Sequence, residues 1–480
     1  MRATHFGCRG FTRAVAAVLV LATGCTVGPN YVRPPIAAPD AYKETAAGWK
    51  VAQPRAEQLH GPWWKMFGDP QLNALEEQVD ISNQNVAAAE ARYRQAVTLV
   101  EEARAAYYPT VSIGLGVSRA RSPASAAGTA AQTVNDYTLP INASWEPDVW
   151  GRIRRNVEAS QASAQASAAD LEAARLSART TLAQDYFLLR TQDVQQRLLE
   201  ATVTAFERSL AMTRNQYQAG VVSRADVLQA KTLLETTRAQ AVDVGIQRAQ
   251  LEHAIALLVG TAASRFSLPA ASLPTTPPDV PPGVPSELLE RRPDVAAAER
   301  SVAAANAAIG VAEAAYFPTI ILSAEGGLQS SSWARWFTWP MRFWSVGGTI
   351  SETVYDGGLR HAQTDQARAA YDESVAAYRE TVLAAFQSVE DALAALRLLA
   401  DEARVQGGAV DLAKQTVTVI TNQYEAGTVT YLNVITAQTT ALADERTAIG
   451  ILGNRMTTSV LLIAALGGGW DTTQLPEGRP

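Results

Sequence analysis

Cysteine and histidine are scarce in this sequence, and their scarcity excludes most catalytic, redox and metal chemistry. Among the 480 residues there are two cysteines, Cys8 and Cys25, and four histidines that lie far apart along the chain. Zinc and copper sites need such ligands at short, regular spacing, and the common hydrolase, metalloprotease and phosphate-loop motifs are also lacking. We therefore predict no catalytic residue and no metal site, and we do not expect an enzyme.

Long apolar runs are lacking beyond the N-terminus, so no transmembrane helix is expected in the mature chain. The first apolar run, residues 14–22, is too short to span a membrane and follows three arginines, which is typical of a secretory signal peptide at residues 1–24. Cys25 then stands where lipoproteins are cleaved and acylated, although Ala22 replaces the usual Leu three residues before it. We expect a covalent N-terminal lipid on Cys25 and no other cofactor; an ordinary signal peptide with a chance cysteine is the alternative.

The chain also lacks an excess of basic residues. Its formal net charge is −6, which becomes −9 once the three arginines of residues 1–24 are removed. A mildly acidic protein of this kind is not expected to bind nucleic acid.

An internal repeat is the most informative feature that the sequence contains. Residues 107–111 (YYPTV) recur at 316–320 (YFPTI), and residues 215–220 (NQYQAG) recur at 422–427 (NQYEAG), which is 209 and 207 residues further along. Each repeat is predicted to contain a helix, a β-hairpin, a long helix and a further helix. The predicted segments are a signal peptide (1–24), an extended N-terminal segment (25–68), a first repeat (69–260), a Pro-rich linker (261–285), a second repeat (286–467) and a C-terminal tail (468–480).

Stretches without glycine or proline predict long helices in both repeats. They cover residues 71–106, 152–219 and 359–426, the last interrupted only by Gly407-Gly408. At the α-helical rise the two longer stretches would each span about 100 Å. Helices of this length exceed a single globular core and predict coiled-coil-like packing of one helix on another.

Four short stretches between the helices alternate apolar residues with small or polar ones. They are residues 111–118, 139–145, 320–328 and 346–350, which form two predicted hairpins of membrane-strand character. Four strands cannot close a barrel, and an open edge in hydrocarbon leaves unpaired backbone groups that cost several kcal/mol each. Three copies would supply twelve strands and leave a lumen, so trimerisation is predicted.

The loop of the second predicted hairpin, residues 329–344, is rich in tryptophan and phenylalanine. We interpret these aromatic residues as a girdle at the membrane interface. Packing of the rings against one another within the loop is the alternative interpretation.

Five short motifs carry a family resemblance when they are taken together. They are residues 25–31 (CTVGPNY), 63–70 (WWKMFGDP), 145–152 (WEPDVWGR), 291–295 (RRPDV) and 355–358 (YDGG). In this order and at this spacing they resemble the TolC/OprM/NodT family of outer-membrane efflux channel lipoproteins over essentially the whole mature chain.

The resemblance implies a mixed α and β membrane protein that forms a homotrimer. A twelve-stranded transmembrane β-barrel, with four strands from each chain, would continue into a long periplasmic α-helical barrel. The protein would be lipid-anchored in the outer membrane, extend into the periplasm, and have a periplasmic adaptor (membrane fusion) protein and an inner-membrane transporter as partners. Its implied function is passive conduction of small molecules, such as drugs, toxic compounds or metabolites, out of the cell. An exit duct for type I protein secretion and a periplasmic coiled-coil scaffold are the alternatives.

Each long helix is followed by a turn with the sequence Tyr-x-Ala-Gly and then by a new helix start. The glycine of each turn is expected to end the preceding helix. Ser223 and Asp226 have the spacing of a capping box, and Thr430 and Asn433 have that of a weaker counterpart. Helix capping is therefore the simplest role for Asp226.

The resemblance places these two turns at the periplasmic tip of the channel. There it implies polar links that hold the entrance shut, together with contacts to the adaptor. Asn433 and Thr436 are neutral where some members of the family carry Asp, so a strongly cation-binding entrance is not implied. The residues assigned to the gate are Arg224, Asp226, Tyr424, Leu432, Asn433 and Thr436. Those assigned to adaptor docking are Gly220, Val221, Ser223, Gly427, Thr428 and Thr430.

Overall fold

The structure, a computed structural model, describes residues 26–36, 38–39, 41–44, 61–123, 131–280 and 287–476. The predicted signal peptide and the predicted lipid attachment at Cys25 lie outside the described residues.

Long α-helices form most of both halves of the chain. In the first half they are α1 (Pro70–Ser82), α2 (Gln84–Ala105), α3 (Arg152–Gln218) and α4 (Arg224–Leu258). In the second half they are the single turn α5 (Leu288–Arg291), followed by α6 (Pro293–Ala314), α7 (Leu359–Glu425) and α8 (Tyr431–Ala465). Helices α3 and α7 are each 67 residues long, which confirms the two longest predicted helices. Helix α7 passes through Gly407-Gly408 without a break, because each glycine costs only about 1 kcal/mol relative to alanine.

The helix predicted over residues 71–106 is in fact two helices, and Asn83 separates them. The side-chain oxygen of Asn83 accepts hydrogen bonds from the backbone N–H groups of Asn85 (2.9 Å) and Val86 (3.1 Å), so that it caps the start of α2. Its amide group donates to the carbonyl oxygen of Leu258 (2.8 Å) at the end of α4. The prediction of one continuous helix was wrong because asparagine competes with the helical backbone for hydrogen bonds.

Five strand segments form one antiparallel sheet. They are β1 (Thr110–Ile113), β2 (Gly116–Ser122), β3 (Gln132–Trp145), β4 (Thr319–Ser330) and β5 (Arg342–Ser351). Both β1 and β2 pair with β3 in one continuous register, and β4 and β5 follow in that order. The sheet therefore has two outer edges, one formed by β1 and β2 and the other by β5, and no described residue pairs with either edge.

Pro140 explains why β1 and β2 are separate segments. It lies inside β3, and its carbonyl oxygen accepts a hydrogen bond from the N–H of Gly114 at 2.9 Å. In an antiparallel pair the same residue would donate a second bond back, but proline has no N–H to do so. The hydrogen-bond ladder between the strands is therefore interrupted at Gly114 and Leu115. The prediction of one continuous strand over residues 111–118 was wrong.

The largest buried apolar cluster lies where α1, α3, α8 and the turn Trp63–Phe67 meet. Trp63, Leu72, Phe187 and Met456 are almost fully buried in it. Helix α8 is the one described helix that is long and apolar enough to cross a membrane, but half of its most apolar stretch is buried within the fold. Helix α8 is therefore explained as a helix of this core.

The segment after α4 is fastened to α3 by a buried ionic network. The carboxylate of Asp193 accepts hydrogen bonds from Arg190 (2.7 Å), Arg248 (2.7 Å) and the backbone N–H of Ala271 (3.1 Å). The side chains of Arg190 and Asp193 are fully buried. Because each charge has several partners, the network fixes the start of the predicted linker against the helices.

The described N-terminal segment begins at the junction between sheet and helices. Thr26 lies against Gly151, the residue before α3, and Val27 donates its N–H to the carbonyl oxygen of Trp150 at 3.2 Å. Arg155 is buried and donates to the carbonyl oxygens of Val27 (3.2 Å) and Gly28 (3.1 Å). The extended N-terminal segment is thus held at this junction from its first described residue.

Candidate functional site

Two turns end the long helices α3 and α7 in the same way. In the first turn the N–H of Gly220 donates to the carbonyl oxygen of Tyr217 (3.0 Å), and the N–H of Val221 donates to that of Gln216 (2.9 Å). The second turn, residues 423–428, repeats both bonds at 2.9 and 3.0 Å. The two turn glycines have φ angles of +76° and +73°, a conformation that favours glycine. Both turns are therefore Schellman caps, and the expectation that glycine ends each helix is confirmed.

The helices that follow the turns are capped differently. The carboxylate of Asp226 accepts hydrogen bonds from the backbone N–H (2.9 Å) and the hydroxyl (2.7 Å) of Ser223, and the Ser223 oxygen accepts the N–H of Asp226 at 3.3 Å. This is the predicted capping box. In the second turn no side chain caps the helix, and Asn433 donates only its backbone N–H to the carbonyl oxygen of Thr430. The predicted counterpart was wrong, because the side chain of Thr430 accepts no hydrogen bond from the first backbone N–H groups of the helix.

The two turns lie together because an apolar cluster joins their helices. We call this set of residues the tip cluster: Phe206, Leu210, Ala230, Leu234, Tyr431 and Val434. All six are at least nine-tenths buried in the single chain. Burial of this apolar surface, at about 25 cal/mol per Å², holds the two helix pairs side by side at this end.

Two tyrosines connect the tip cluster to polar groups of α3. Tyr424 donates its hydroxyl hydrogen to the side-chain oxygen of Gln216 at 2.8 Å, and the hydroxyls of Tyr431 and Ser209 are hydrogen-bonded at 2.8 Å. The two tyrosine rings lie 5.4 Å apart. Burial raises the pKa of Tyr424, and the nearby carboxylate of Asp226 raises it further. Tyr424 is therefore a neutral hydrogen-bond donor at physiological pH.

The structure brings together some of the predicted gate residues but not all of them. Tyr424 and Asp226 are near each other, although Asp226 is engaged in the capping box and the hydroxyl of Tyr424 bonds elsewhere. Arg224 is exposed and has no ion pair among the described residues. Leu432, Asn433 and Thr436 are exposed on the first turns of α8, and the hydroxyl of Thr436 bonds the carbonyl oxygen of Leu432. The residues predicted to dock an adaptor are all exposed: Gly220, Val221, Ser223, Gly427, Thr428 and Thr430.

Three residues of this region were not predicted from the sequence. They are Ser209, Gln216 and Tyr431, which supply the polar and aromatic contacts between the two helix pairs. Ser209 and Tyr431 are 222 positions apart in sequence, so no local pattern joins them. The available signal was Tyr431 itself, an aromatic residue directly after the cap position.

The sheet has two chemically different faces, because side chains alternate along each strand. Along β1, β2 and the two residues between them, one face carries Val111, Ile113, Leu115 and Val117, which are 63–71% exposed. Residues directly opposite in the sheet lie on the same face, so the registers extend this apolar face across all strands. Its further members include Tyr137, Leu139, Ile141, Leu322, Leu328, Trp344, Val346 and Ile350. The opposite, polar face carries mainly Ser, Gly, Thr and Asn, with Ala120, Val134, Pro140, Ile321 and Phe343 as apolar exceptions.

The aromatic loop divides into a buried and an exposed part. Trp336 is 2% exposed and packs against Trp333, Phe337 and Tyr137 with ring centroids 4.8–5.7 Å apart. Packing within the loop therefore accounts for Trp336. Trp333, Phe337, Trp339 and Trp344 are 64–80% exposed, so the interfacial girdle stays a prediction for these four.

No group of three or more His, Cys, Asp or Glu residues within the described part of the chain has the geometry to hold a metal ion. The chemistry of the turns is limited to hydrogen bonds, apolar contacts and a carboxylate. Such an arrangement can hold helices together or release them.

Comparisons with known proteins agree with this architecture. A family model described as outer membrane efflux protein matches residues 75–261 and 284–468. The chain is 30% identical over 472 residues to the toluene efflux pump outer membrane protein TtgF of Pseudomonas putida, an alignment that covers 95% of this chain and 96% of TtgF.

Two solved structures are similar in fold over nearly the whole chain. The outer-membrane channel OprN superposes with a TM-score of 0.87 and 29% identity and covers 93% of this chain and 100% of its own. The open state of the MtrE outer membrane channel of Neisseria gonorrhoeae gives a TM-score of 0.80 and 27% identity and covers 93% and 98%.

Proposed function

The chain belongs to the outer membrane efflux protein family, and from this membership we propose how it acts as the outer-membrane channel of an efflux pump. Three copies form a closed twelve-stranded barrel from their sheets, and their long helices continue it as a tunnel through the periplasm. Small molecules delivered by the pump pass through this duct passively. The gate lies at the two turns that end α3 and α7.

The two unpaired edges of the sheet are the main observation that supports a trimer. A sheet with two unpaired edges and a strongly exposed apolar face is costly in water and in lipid unless its edges are paired. Joining the edge formed by β1 and β2 of one copy to β5 of the next removes both edges at once. The apolar face then meets hydrocarbon, and the face of small and polar residues lines the lumen.

The position of Thr26 supports a lipid anchor on Cys25. Thr26 lies where β3 gives way to α3, which is the level at which the barrel leaves the membrane in this proposal. An acyl group on the preceding residue would enter the adjacent leaflet of the outer membrane.

The contacts of Tyr424 and Asp226 support a gate at the tips. Within one chain the two turns are held together by a few polar contacts and by the tip cluster. The two tyrosine hydrogen bonds are partly buried, and such bonds contribute only about 0.5–1.5 kcal/mol each, so a bound adaptor can supply enough energy to break them. The similarity to a channel described in an open state is consistent with a second arrangement of the same helices.

The transported substrate is a small molecule whose identity is chosen upstream. The relative TtgF is named for toluene efflux, and the polar face of the sheet carries mainly small residues, which offer few contacts to distinguish one compound from another. A periplasmic adaptor docks at the exposed turns and connects the channel to an inner-membrane transporter.

Heat-modifiable migration and conductance test the proposed channel. Protein extracted from outer membranes is expected to migrate as a trimer that dissociates only on heating, and to give discrete single-channel steps in planar bilayers. A monomer released from the membrane fraction by salt alone would overturn the proposal in favour of a periplasmic scaffold.

A further inference from the structure

The charged residues of the sheet are sorted by face. Arg119, Arg121 and Arg342 lie on the apolar face, whereas Asp136 and Glu325 lie on the polar face. These five are all of the charged residues in the five strands. A mainly apolar face, whose other polar members are the uncharged Thr133, Asn135 and Ser330, thus carries every cation of the sheet and no anion.

The arginines stand at the ends of two rows of apolar side chains, one along β2 and one along β5. Arg119 and Arg121 follow Val117 by two and four residues along β2, and Arg342 precedes Trp344 by two residues along β5. Both rows end at the hairpin loops, which is the end of the sheet away from the long helices. The cations therefore stand where the apolar face ends and the loops begin.

The three guanidinium groups have no acidic partner. All three residues are exposed, and no carboxylate among the described residues pairs with them. Arg342 donates to the carbonyl oxygen of Trp339 at 3.3 Å and lies over its ring. The carboxylate of Asp136 lies on the other face, where it accepts hydrogen bonds from Gln329.

We propose that Arg119, Arg121 and Arg342 bind the phosphate groups of lipid A, the phosphorylated and multiply acylated disaccharide of the outer leaflet. One guanidinium group can donate two parallel hydrogen bonds to two oxygens of a phosphate. The apolar side chains next to the arginines along the strands offer a surface for acyl chains. The exposed Trp344 ring fits the boundary between the two regions. The hairpin loops face outward because the helices extend into the periplasm, so the leaflet is the outer one.

The site is formed at the seam between two copies and therefore rests on the proposed trimer. Arg119 and Arg121 lie on one edge of the sheet and Arg342 on the other. When the edges of neighbouring copies pair, the two arginines of one copy come beside the third arginine of the next. A trimer has three such seams and would hold three phosphorylated lipids.

Lipid retention tests this site directly. The trimer is reconstituted in phosphatidylcholine vesicles that contain the same small fraction of bisphosphorylated lipid A, monophosphorylated lipid A or phosphatidylglycerol, re-extracted gently, and its bound lipids are counted by native mass spectrometry. Bisphosphorylated lipid A is expected to be retained at the highest level. The triple variant Arg119→Gln, Arg121→Gln, Arg342→Gln is expected to retain it about tenfold less.

A matched triple variant controls for the loss of charge. Arg94→Gln, Arg208→Gln and Arg379→Gln removes three exposed arginines from the helices and is expected to retain lipid A as the unmodified protein does. Equal retention by the sheet variant, or equal loss in the helix variant, would overturn the site. Lysine at positions 119, 121 and 342 keeps the charge but cannot donate two parallel hydrogen bonds to one phosphate. The lipid A retention of this variant is expected to lie between that of the unmodified protein and that of the glutamine variant.

The trimer and the lipid site fail in different ways. An unmodified chain that yields no heat-modifiable trimer would overturn the proposed function and this site with it. A conducting trimer that retains bisphosphorylated lipid A no better than phosphatidylglycerol at the same fraction would overturn the site alone.

Discussion

Gly28 and Gly310 touch backbone to backbone: a β-carbon on Gly28 would lie 2.4 Å from the α-carbon of Gly310. Gly28 also has a φ angle of +91°. Arg155 also lies against Gly310, and its side chain would meet a β-carbon there at 2.9 Å. The N-terminal segment therefore crosses α6 at a place where neither Gly28 nor Gly310 can be replaced by a residue with a side chain.

Substituting Gly28 by alanine is expected to detach this crossing. The new β-carbon clashes with backbone, which cannot move as a side chain would, and the φ angle strains any L-residue, so a loss of more than about 1 kcal/mol in stability is expected. The measurement is the temperature at which the trimer dissociates. Gly245→Ala is the matched control, because Gly245 lies inside α4 with open space around it and alanine there should be neutral or slightly stabilising. Equal effects of the two substitutions would contradict the contact.

Glu76 predicts a pH dependence of stability. It is fully buried, neither carboxylate oxygen has a hydrogen-bond partner among the described residues, and burial raises its pKa from 4.5 to about 9 against the opposing effect of Arg179. Since the folded-state pKa lies above the unfolded one, the folded protein keeps the proton. The stability that this gives is fully present below pH 4.5 and is lost as the pH rises towards about 9, at roughly 1 kcal/mol per pH unit.

Glu76→Gln removes this titration, so its unfolding temperature should fall less than that of the unmodified protein between about pH 5 and about pH 9. Thermal unfolding across this range checks the prediction. Glu77→Gln changes the neighbouring, exposed carboxylate and should leave the pH profile as it was. A profile that Glu76→Gln does not flatten would show that Glu76 is charged in the folded protein.

The gate is tested by combining Asp226→Ala with Tyr424→Phe. The first change removes the carboxylate near Tyr424, and the second removes the hydroxyl bond to Gln216. We expect a higher single-channel conductance in planar bilayers, because the tips are held by fewer polar contacts.

Ser223→Ala separates gating from capping. It breaks the same capping box, which costs about 0.5–2 kcal/mol, but it leaves the Asp226 carboxylate in place. Under the gate proposal its conductance stays near that of the unmodified channel. If Ser223→Ala opens the channel as far as the double variant does, Asp226 acts through the helix start alone.

Adaptor docking is tested with single cysteines at Val221 and Thr428. Both positions are exposed and follow the turn glycines, whose positive φ angles make the glycines themselves poor sites for substitution. Each cysteine is expected to crosslink to a periplasmic adaptor in cells. Leu383→Cys, at an exposed position in the middle of α7, should not; crosslinks from Leu383 alone would place the docking surface away from the tips.

Local sequence patterns predicted the long helices, the glycine caps and the capping box of Asp226, because each depends on residues within a few positions of one another. They predicted a single helix across Asn83, whose side-chain oxygen caps α2 while its amide group donates to the distant carbonyl oxygen of Leu258. They also missed the break opposite Pro140, because the proline that interrupts the first strand lies on its neighbour. The links from Tyr424 to Gln216 and from Tyr431 to Ser209 join residues more than 200 positions apart, so they emerge only when the two halves pack together.

The contact of Thr26 with Gly151 has a mechanical consequence. A single peptide step separates Cys25 from Thr26 and reaches less than about 4 Å, so an acyl group on Cys25 would have almost no slack relative to the barrel. Three such groups, one from each copy, would hold the barrel at one depth and resist tilting of its axis. A force that a partner applies to the distant helix tips would then be opposed by the anchors at the bilayer surface. The force would displace the tips relative to the barrel instead of moving the whole channel.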